Sequence, residues 1–467
     1  MRISIWLTVV GALLALSVVL VAGRFLLQPD LPLITHAGFA PETITPNADG
    51  SDDVTLFTYS LTRNARVSLT FEGEDGTRFV YRDNEPRIAQ DYQVYFSGVV
   101  DGYTLPGERF AGEVLRRLMP DGVYTWRLEA VEEGSGESQQ WTGTLIVEDG
   151  DVPLPQLASF TVSPEVFTPN QDGISDRAQV NVYLTKAADL TVYLQGANGE
   201  IIYLAERLEG REPGEPGRHD FDYDGGVDLG ADPPPDGTYT VIATAQDAVG
   251  QRVQQTAILT IQDGGDPLAE IAPQAVGVDV VFAHQVYDER YFSAMGQPGE
   301  LIAPPEGPLD LNLTGVTIPV GDLLAFKLTV ENYSEVPIRT TGPAPGTVYQ
   351  QDQRASTLGW YEEAGAWRVG IDCDTAPSDY PWRWALGASD TLVAEQDPAT
   401  GNTFYYLPPG EQAVVWGAIR MTNLVENFNP QNCWAGLIHE QVEVSLRNAR
   451  VGPREIELVD LSGGPGS

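Results

Sequence analysis

The chain repeats itself, and the repeat restricts its architecture more than any other feature. Pro41-Glu42-Thr43-Ile44-Thr45-Pro46-Asn47-Ala48-Asp49-Gly50-Ser51-Asp52-Asp53 returns as Pro164-Glu165-Val166-Phe167-Thr168-Pro169-Asn170-Gln171-Asp172-Gly173-Ile174-Ser175-Asp176, in register throughout. Each copy runs into an alternating stretch, Val54–Leu61 or Ala178–Leu184, with the period of two that marks a half-buried strand. Later, Asp121-Gly122-Val123-Tyr124-Thr125 matches Asp236-Gly237-Thr238-Tyr239-Thr240, and Leu145–Gly150 matches Leu259–Gly264. Short strands broken by Gly, Pro and Asp turns predict β-sandwiches and not a parallel α/β fold.

Three elements carry a resemblance: Pro-Asn-x-Asp-Gly-x-x-Asp before the first strand, Phe221-Asp222-Tyr223-Asp224-Gly225, and the Asp236-Gly237-x-Tyr239 turn. Together they resemble the immunoglobulin-like module of the flagellar hook-capping protein, versions of which recur in bacterial surface proteins. The resemblance implies a structural or adhesive spacer. The first copy departs from the pattern, with Tyr95-Phe96-Ser97-Gly98 where the second has Asp222-Tyr223-Asp224-Gly225.

The Asp-rich loops have two readings. Thr45, Asn47, Asp49 and Asp53, and again Thr168, Asn170, Asp172 and Asp176, place oxygen side chains at positions 1, 3, 5 and 9 of a calcium-type loop with Gly at position 6. Position 1 lacks Asp, however, and position 12 is Leu56 or Gln179 where a bidentate Glu is wanted. The leading reading is therefore an Asx-type turn, in which Asn and Asp bond their own backbone. A weak calcium site is the other.

Ile3 to Ala22 carries no charge, about the 20 residues a helix needs to cross a hydrocarbon layer. Leu20-Val21-Ala22 lacks a small-x-small cleavage site, so the reading is an uncleaved signal anchor with everything downstream extracytoplasmic. Cys373 and Cys433 fit a structural disulfide in such an oxidising compartment.

From about Glu270 the repeat stops. Leu323–Glu331, Ala413–Arg420 and Gln441–Arg447 still alternate, which predicts a third sandwich with longer loops. Six of the 9 Trp lie here, and Tyr380, Trp382, Trp384, Trp360, Tyr405 and Tyr406 are the candidate binding residues, flat rings near Asp372, Asp374 and Asp379 suited to a glycan or protein partner. The competing reading places these rings in the core.

The expected fold is all-β: three consecutive Ig-like β-sandwich domains after an N-terminal transmembrane helix. Its divisions are a signal anchor at 1–27, a linker at 28–38, repeats at 39–152 and 157–267, a C-terminal sandwich at 270–460 and a flexible tail at 461–467. With 66 acidic and 27 basic residues and a net charge of −39, the surface repels phosphate backbones, which excludes nucleic acid as a partner. The four His are scattered without metal-ligand spacing and no nucleophile or phosphate-cradling motif occurs. The chain therefore reads as a non-enzymatic, membrane-anchored structural or adhesive protein whose repeats space a C-terminal interaction domain from the membrane. The alternatives are a glycan-binding surface module or an accessory subunit of a larger membrane complex. No cofactor is expected, with calcium as the one candidate.

Overall fold

The computed structural model describes residues 5–26, 31–105, 107–273, 279–288, 301–305, 315–388, 390–397, 400–444 and 448–461. Apart from the helix Ile5–Leu26 and short 3-10 turns, these residues form an all-β structure of sandwich-like sheets.

In the first repeat, Ile34–Ala40, Thr55–Leu61 and Asp91–Phe96 form one sheet. Thr43–Ile44, Ser138–Val147, Gly122–Glu132, Ala65–Gly73 and Arg78–Arg87 form the other. Strict alternation on Thr55–Leu61 sends Phe57, Tyr59 and Leu61 inward. There, Phe39 meets Trp126 edge-on at 5.6 Å and Phe71 stacks on Phe96 at 4.9 Å, joining the sheets. Burying each such ring contributes up to about 3 kcal/mol. The segment 28–38, expected to be a linker, already contains a strand: Leu33 and Ile34 are fully buried, and Ile34–Ala40 pairs with Leu56–Leu61. Apolar residues ahead of the repeated motif serve as its first strand.

The second repeat uses the same plan, with Ala178, Val180, Val182 and Leu184 inward. In both copies the two residues before the Asp-rich loop, Thr43–Ile44 and Val166–Phe167, pair in parallel with the closing strand. The copies differ between Gly98 and Asp121, where the first carries extra residues. These form a hairpin, Val99–Asp101 with Glu113–Leu118, whose second strand pairs with Arg252–Gln254 and so extends the sheet of the second repeat. A Cβ on Gly112 would lie 2.3 Å from the Gln254 carbonyl oxygen, and φ there is +96°, so glycine alone lets the hairpin reach this position. Buried Gln251 completes the junction, accepting from Leu118 N–H and donating to the Asp151 and Pro153 carbonyls. Lys186, one of two lysines, lies 2.7 Å from both Asp151 and Asp247.

The C-terminal region packs a sheet built on Leu323–Asn332 and Gln412–Arg420 against one built on Val451–Val459, Gln431–His439 and Trp367–Cys373. Trp367–Cys373 is buried at every position, so it has no alternation to read. The alternating run at 441–447 forms a strand only at Glu443–Val444, and 445–447 lie outside the described residues. Cys373 and Cys433 sit directly opposite on adjacent strands and are joined by a disulfide.

The helix Ile5–Leu26 has 22 residues and no acidic residue in its first turn. Side chains are described continuously only over Val9–Val21, and among the described residues no helix is long and apolar enough to cross a membrane. Residues 462–467 of the expected tail lie outside the described residues.

Candidate functional site

The repeated residues are consumed by the fold. Asn47 Oδ1 accepts from Asp49 N–H at 3.0 Å and Asp49 Oδ1 from Ser51 N–H at 2.8 Å. Asp53 accepts from the N–H groups of Asn47, Ala48 and Gly50. The second copy repeats this: Asn170 accepts from Asp172 N–H, Asp172 from Ile174 N–H, and Asp176 from the N–H groups of Asn170, Asp172 and Gly173. Thr45 and Thr168 donate to the Ser51 and Ile174 carbonyls. Both loops are therefore Asx-type turns whose oxygens face their own backbone donors. Among the described residues, no three His, Cys, Asp or Glu side chains gather as a metal-holding group.

The Asp-Gly-x-Tyr motif is structural in the same way. Asp121 accepts from Asp149 and Gly150 N–H, and Asp236 from Asp263 and Gly264 N–H, tying each closing turn to the motif. The Tyr124 and Tyr239 hydroxyls donate to the Pro120 and Pro235 carbonyls.

What distinguishes the two Asp-rich loops is their surroundings. Asp49 is exposed, whereas Asp172 is buried against the C-terminal region. Tyr406 donates its hydroxyl to Asp172 Oδ2 at 3.0 Å, Arg339 Nε donates to the Asp172 carbonyl at 2.6 Å, and His439 Nε2 lies 2.8 Å from the Gln171 carbonyl. Gly173 and Gly365 face each other so closely that a Cβ on either would fall 2.1 Å from the opposing backbone. Burial raises Asp172 above the usual carboxylate range. Burial, and then the neighbouring Asp172 charge, pushes Asp176 up to about 7. Burial pushes His439 down to about 4, and its ring stacks on Trp367 at 4.4 Å. Its Nε2 therefore carries the proton donated to Gln171.

The aromatic candidates separate into two groups. Trp382 and Trp384 are 1% and 0% exposed, and Tyr380 and Tyr406 are also buried, so these four form no binding platform. Alternation on the short strand Trp382–Ala385 turns both tryptophans inward, where Trp384 meets Phe326 at 4.6 Å and Tyr349 at 4.9 Å. Trp434 faces away from the disulfide, packing with Tyr380 and Ile438 beneath Arg450. Asp372 and Asp374 bond backbone and Asn432 groups locally.

Trp360 and Tyr405 remain accessible. Trp360, 39% exposed, stands between two grooves. One, of about 560 Å³, runs past Tyr405, Phe404 and Asn402. The other, of about 380 Å³, is lined by Arg354, Arg368, Arg383, Tyr361, Glu362 and Asp379 among others. Behind it, Glu440 and Arg368 are both buried and paired at 3.2 Å, and Arg383 reaches Glu440 at 2.7 Å. The sequence pattern pointed to tryptophans and missed these arginines, because they come from separate segments that only the fold gathers. A larger groove of about 670 Å³ on the second repeat is lined by Tyr223, Tyr239 and the Pro234-Pro235 turn.

No protein-family description matches the chain, and no curated protein matches it. Among solved structures, a tetra-tandem repeat from the extending region of a large adhesion protein is 11% identical, covering 86% of this chain and 81% of its own, with a TM-score of 0.18. A two-domain fibronectin type-III segment of chicken tenascin is 14% identical over 49% of this chain and 98% of its own, TM-score 0.16. A structure of a 1.5-MDa bacterial ice-binding adhesin is 10% identical over 92% and 98%, TM-score 0.18. These likenesses carry no functional weight.

Proposed function

We propose that the chain is a membrane-tethered, extracytoplasmic structural protein in which two Ig-like repeats hold a C-terminal interaction domain away from the lipid surface. The observation that carries this reading is the pair of built junctions. The 99–118 hairpin adds strands to the second repeat, and the Asp172 loop inserts between Arg339, Tyr406 and His439. A flexible string of domains needs neither. The uncharged run Ile3 to Ala22 in the sequence supports the tether. The acidic surface supports an exported, soluble coat. The proposed role is non-catalytic, and the use of the repeated polar residues in turns is in keeping with it.

Fractionation tests the tether. The full chain stays with membranes through an alkaline carbonate wash and is cleaved by protease added to intact cells, while deletion of residues 5–26 releases it. Full-length protein in the carbonate supernatant, or protected from external protease, contradicts the reading.

A further inference from the structure

We propose that the cleft beneath Trp360 is a binding site for an acidic sugar, a hexuronate unit of a polysaccharide. This deepens the reading of the C-terminal region as an interaction end and rests on it.

Charge is the first ground. The cleft has twelve lining residues, three of them Arg354, Arg368 and Arg383 against two carboxylates, Glu362 and Asp379. The chain-wide frequency of 27 basic residues in 467 would place fewer than one there. The three arginines have different duties. Arg368 is buried and props the cleft, donating to the Thr341 and Tyr361 carbonyls and pairing with Glu440. Arg383 donates through Nε to the Tyr380 carbonyl and through Nη1 to Glu440, and lies 3.5 Å from Glu362, so it too is matched by carboxylates. Arg354 is exposed and, among the described residues, has no carboxylate at ion-pair distance. An exposed guanidinium that borders a groove and has no carboxylate partner is free to pair with a ligand carboxylate.

The remaining lining selects a sugar. Trp360 and Tyr361 present accessible ring surface, which packs on the apolar face of a pyranose. Glu362 and Asp379 accept hydroxyl hydrogen bonds, and Ser356 and Ser378 both donate and accept them. The volume, about 380 Å³, lies within the roughly 300–1,000 Å³ of small-molecule sites. Trp360 also borders the second groove, which Phe404 and Tyr405 line. The net charge of −39 does not forbid an anionic ligand, because charges beyond about 8 Å are largely screened at physiological salt.

The test uses the full chain in detergent micelles, titrated calorimetrically and by tryptophan fluorescence with oligogalacturonate, oligoglucuronate and their carboxyl-reduced, neutral counterparts. At least one oligouronate binds saturably, its reduced form binds at least tenfold more weakly, and R354Q and W360A each weaken binding at least tenfold. Should W360A fail to fold, R354Q, whose side chain is exposed, decides alone. Absence of saturable binding by both acids, equal binding of the reduced forms, or variants within twofold of wild type overturns the assignment. Loss of this site leaves carbonate-resistant fractionation unchanged, so its failure is distinct from failure of the spacer reading.

Discussion

The hydroxyl of Tyr406 donates to the carboxylate of Asp172 across 3.0 Å, joining residues 234 positions apart and locking the second repeat to the C-terminal region. The equivalent carboxylate in the first repeat, Asp49, makes the same turn but faces solvent. One sequence motif thus performs two jobs, a turn in both copies and a joint in one.

That pair provides an internal control. Both D49A and D172A remove an Asx turn, but only D172A strands a buried Tyr406 hydroxyl, which costs about 1–3 kcal/mol beyond the turn itself. Thermal or denaturant unfolding of the two variants measures the difference. Equal destabilisation would show that the joint contributes nothing.

The joint also responds to acid. The folded pKa of His439 is depressed to about 4 from an ordinary 6.5. Its neutral form is therefore favoured by folding; that contribution is fully present above pH 6.5 and is lost as pH falls toward 4, on the order of 3 kcal/mol in all. Arg339 beside it further disfavours the imidazolium. Asp176 acts in the opposite sense: its raised pKa gives stability that is present below pH 4 and lost as pH rises through about 7. Between about pH 4 and 6.5 the two contributions change in opposite directions and offset each other, so unfolding measured from pH 4 to 8 gives a flat profile that falls only as Asp176 finishes titrating near pH 7. H439F keeps an aromatic ring against Trp367 and removes the His439 contribution, leaving stability that falls from pH 4 to 7; a profile unchanged by H439F would remove His439 from the account.

The disulfide closes a 60-residue separation between Cys373 and Cys433. Constraining a loop of that length stabilises the native state by about 4 kcal/mol in the chain-entropy model. C373A/C433A should lower the unfolding free energy of the C-terminal transition by that order and leave the repeats alone. A shift below 1 kcal/mol would indicate a C-terminal fold that holds without it.

Much of the fold was legible in the sequence. Strands with one wet face, such as Thr55–Leu61 and Ala178–Leu184, announce themselves by alternation. Strands dry on both faces, such as Trp367–Cys373, do not. The turn hydrogen bonds of the loops were legible because Asx chemistry is local. The site was less legible. Clustering in sequence singled out Trp382 and Trp384, which the pleat turns into the core, while Arg368 and Arg383 meet Trp360 only after the chain folds. The hairpin at 99–118 was hidden too, since its pairing partner lies in the next repeat.

The central claim is that the repeats and the C-terminal region move as one body, and the Gly112 contact makes it testable. Spin labels at Ser51 and Asn402, both exposed, report the distance across both junctions by pulsed dipolar spectroscopy. The account predicts a single narrow distribution that broadens in G112A, where the added Cβ drives the hairpin off Gln254. A broad distribution in the unaltered chain, indifferent to G112A, would contradict it.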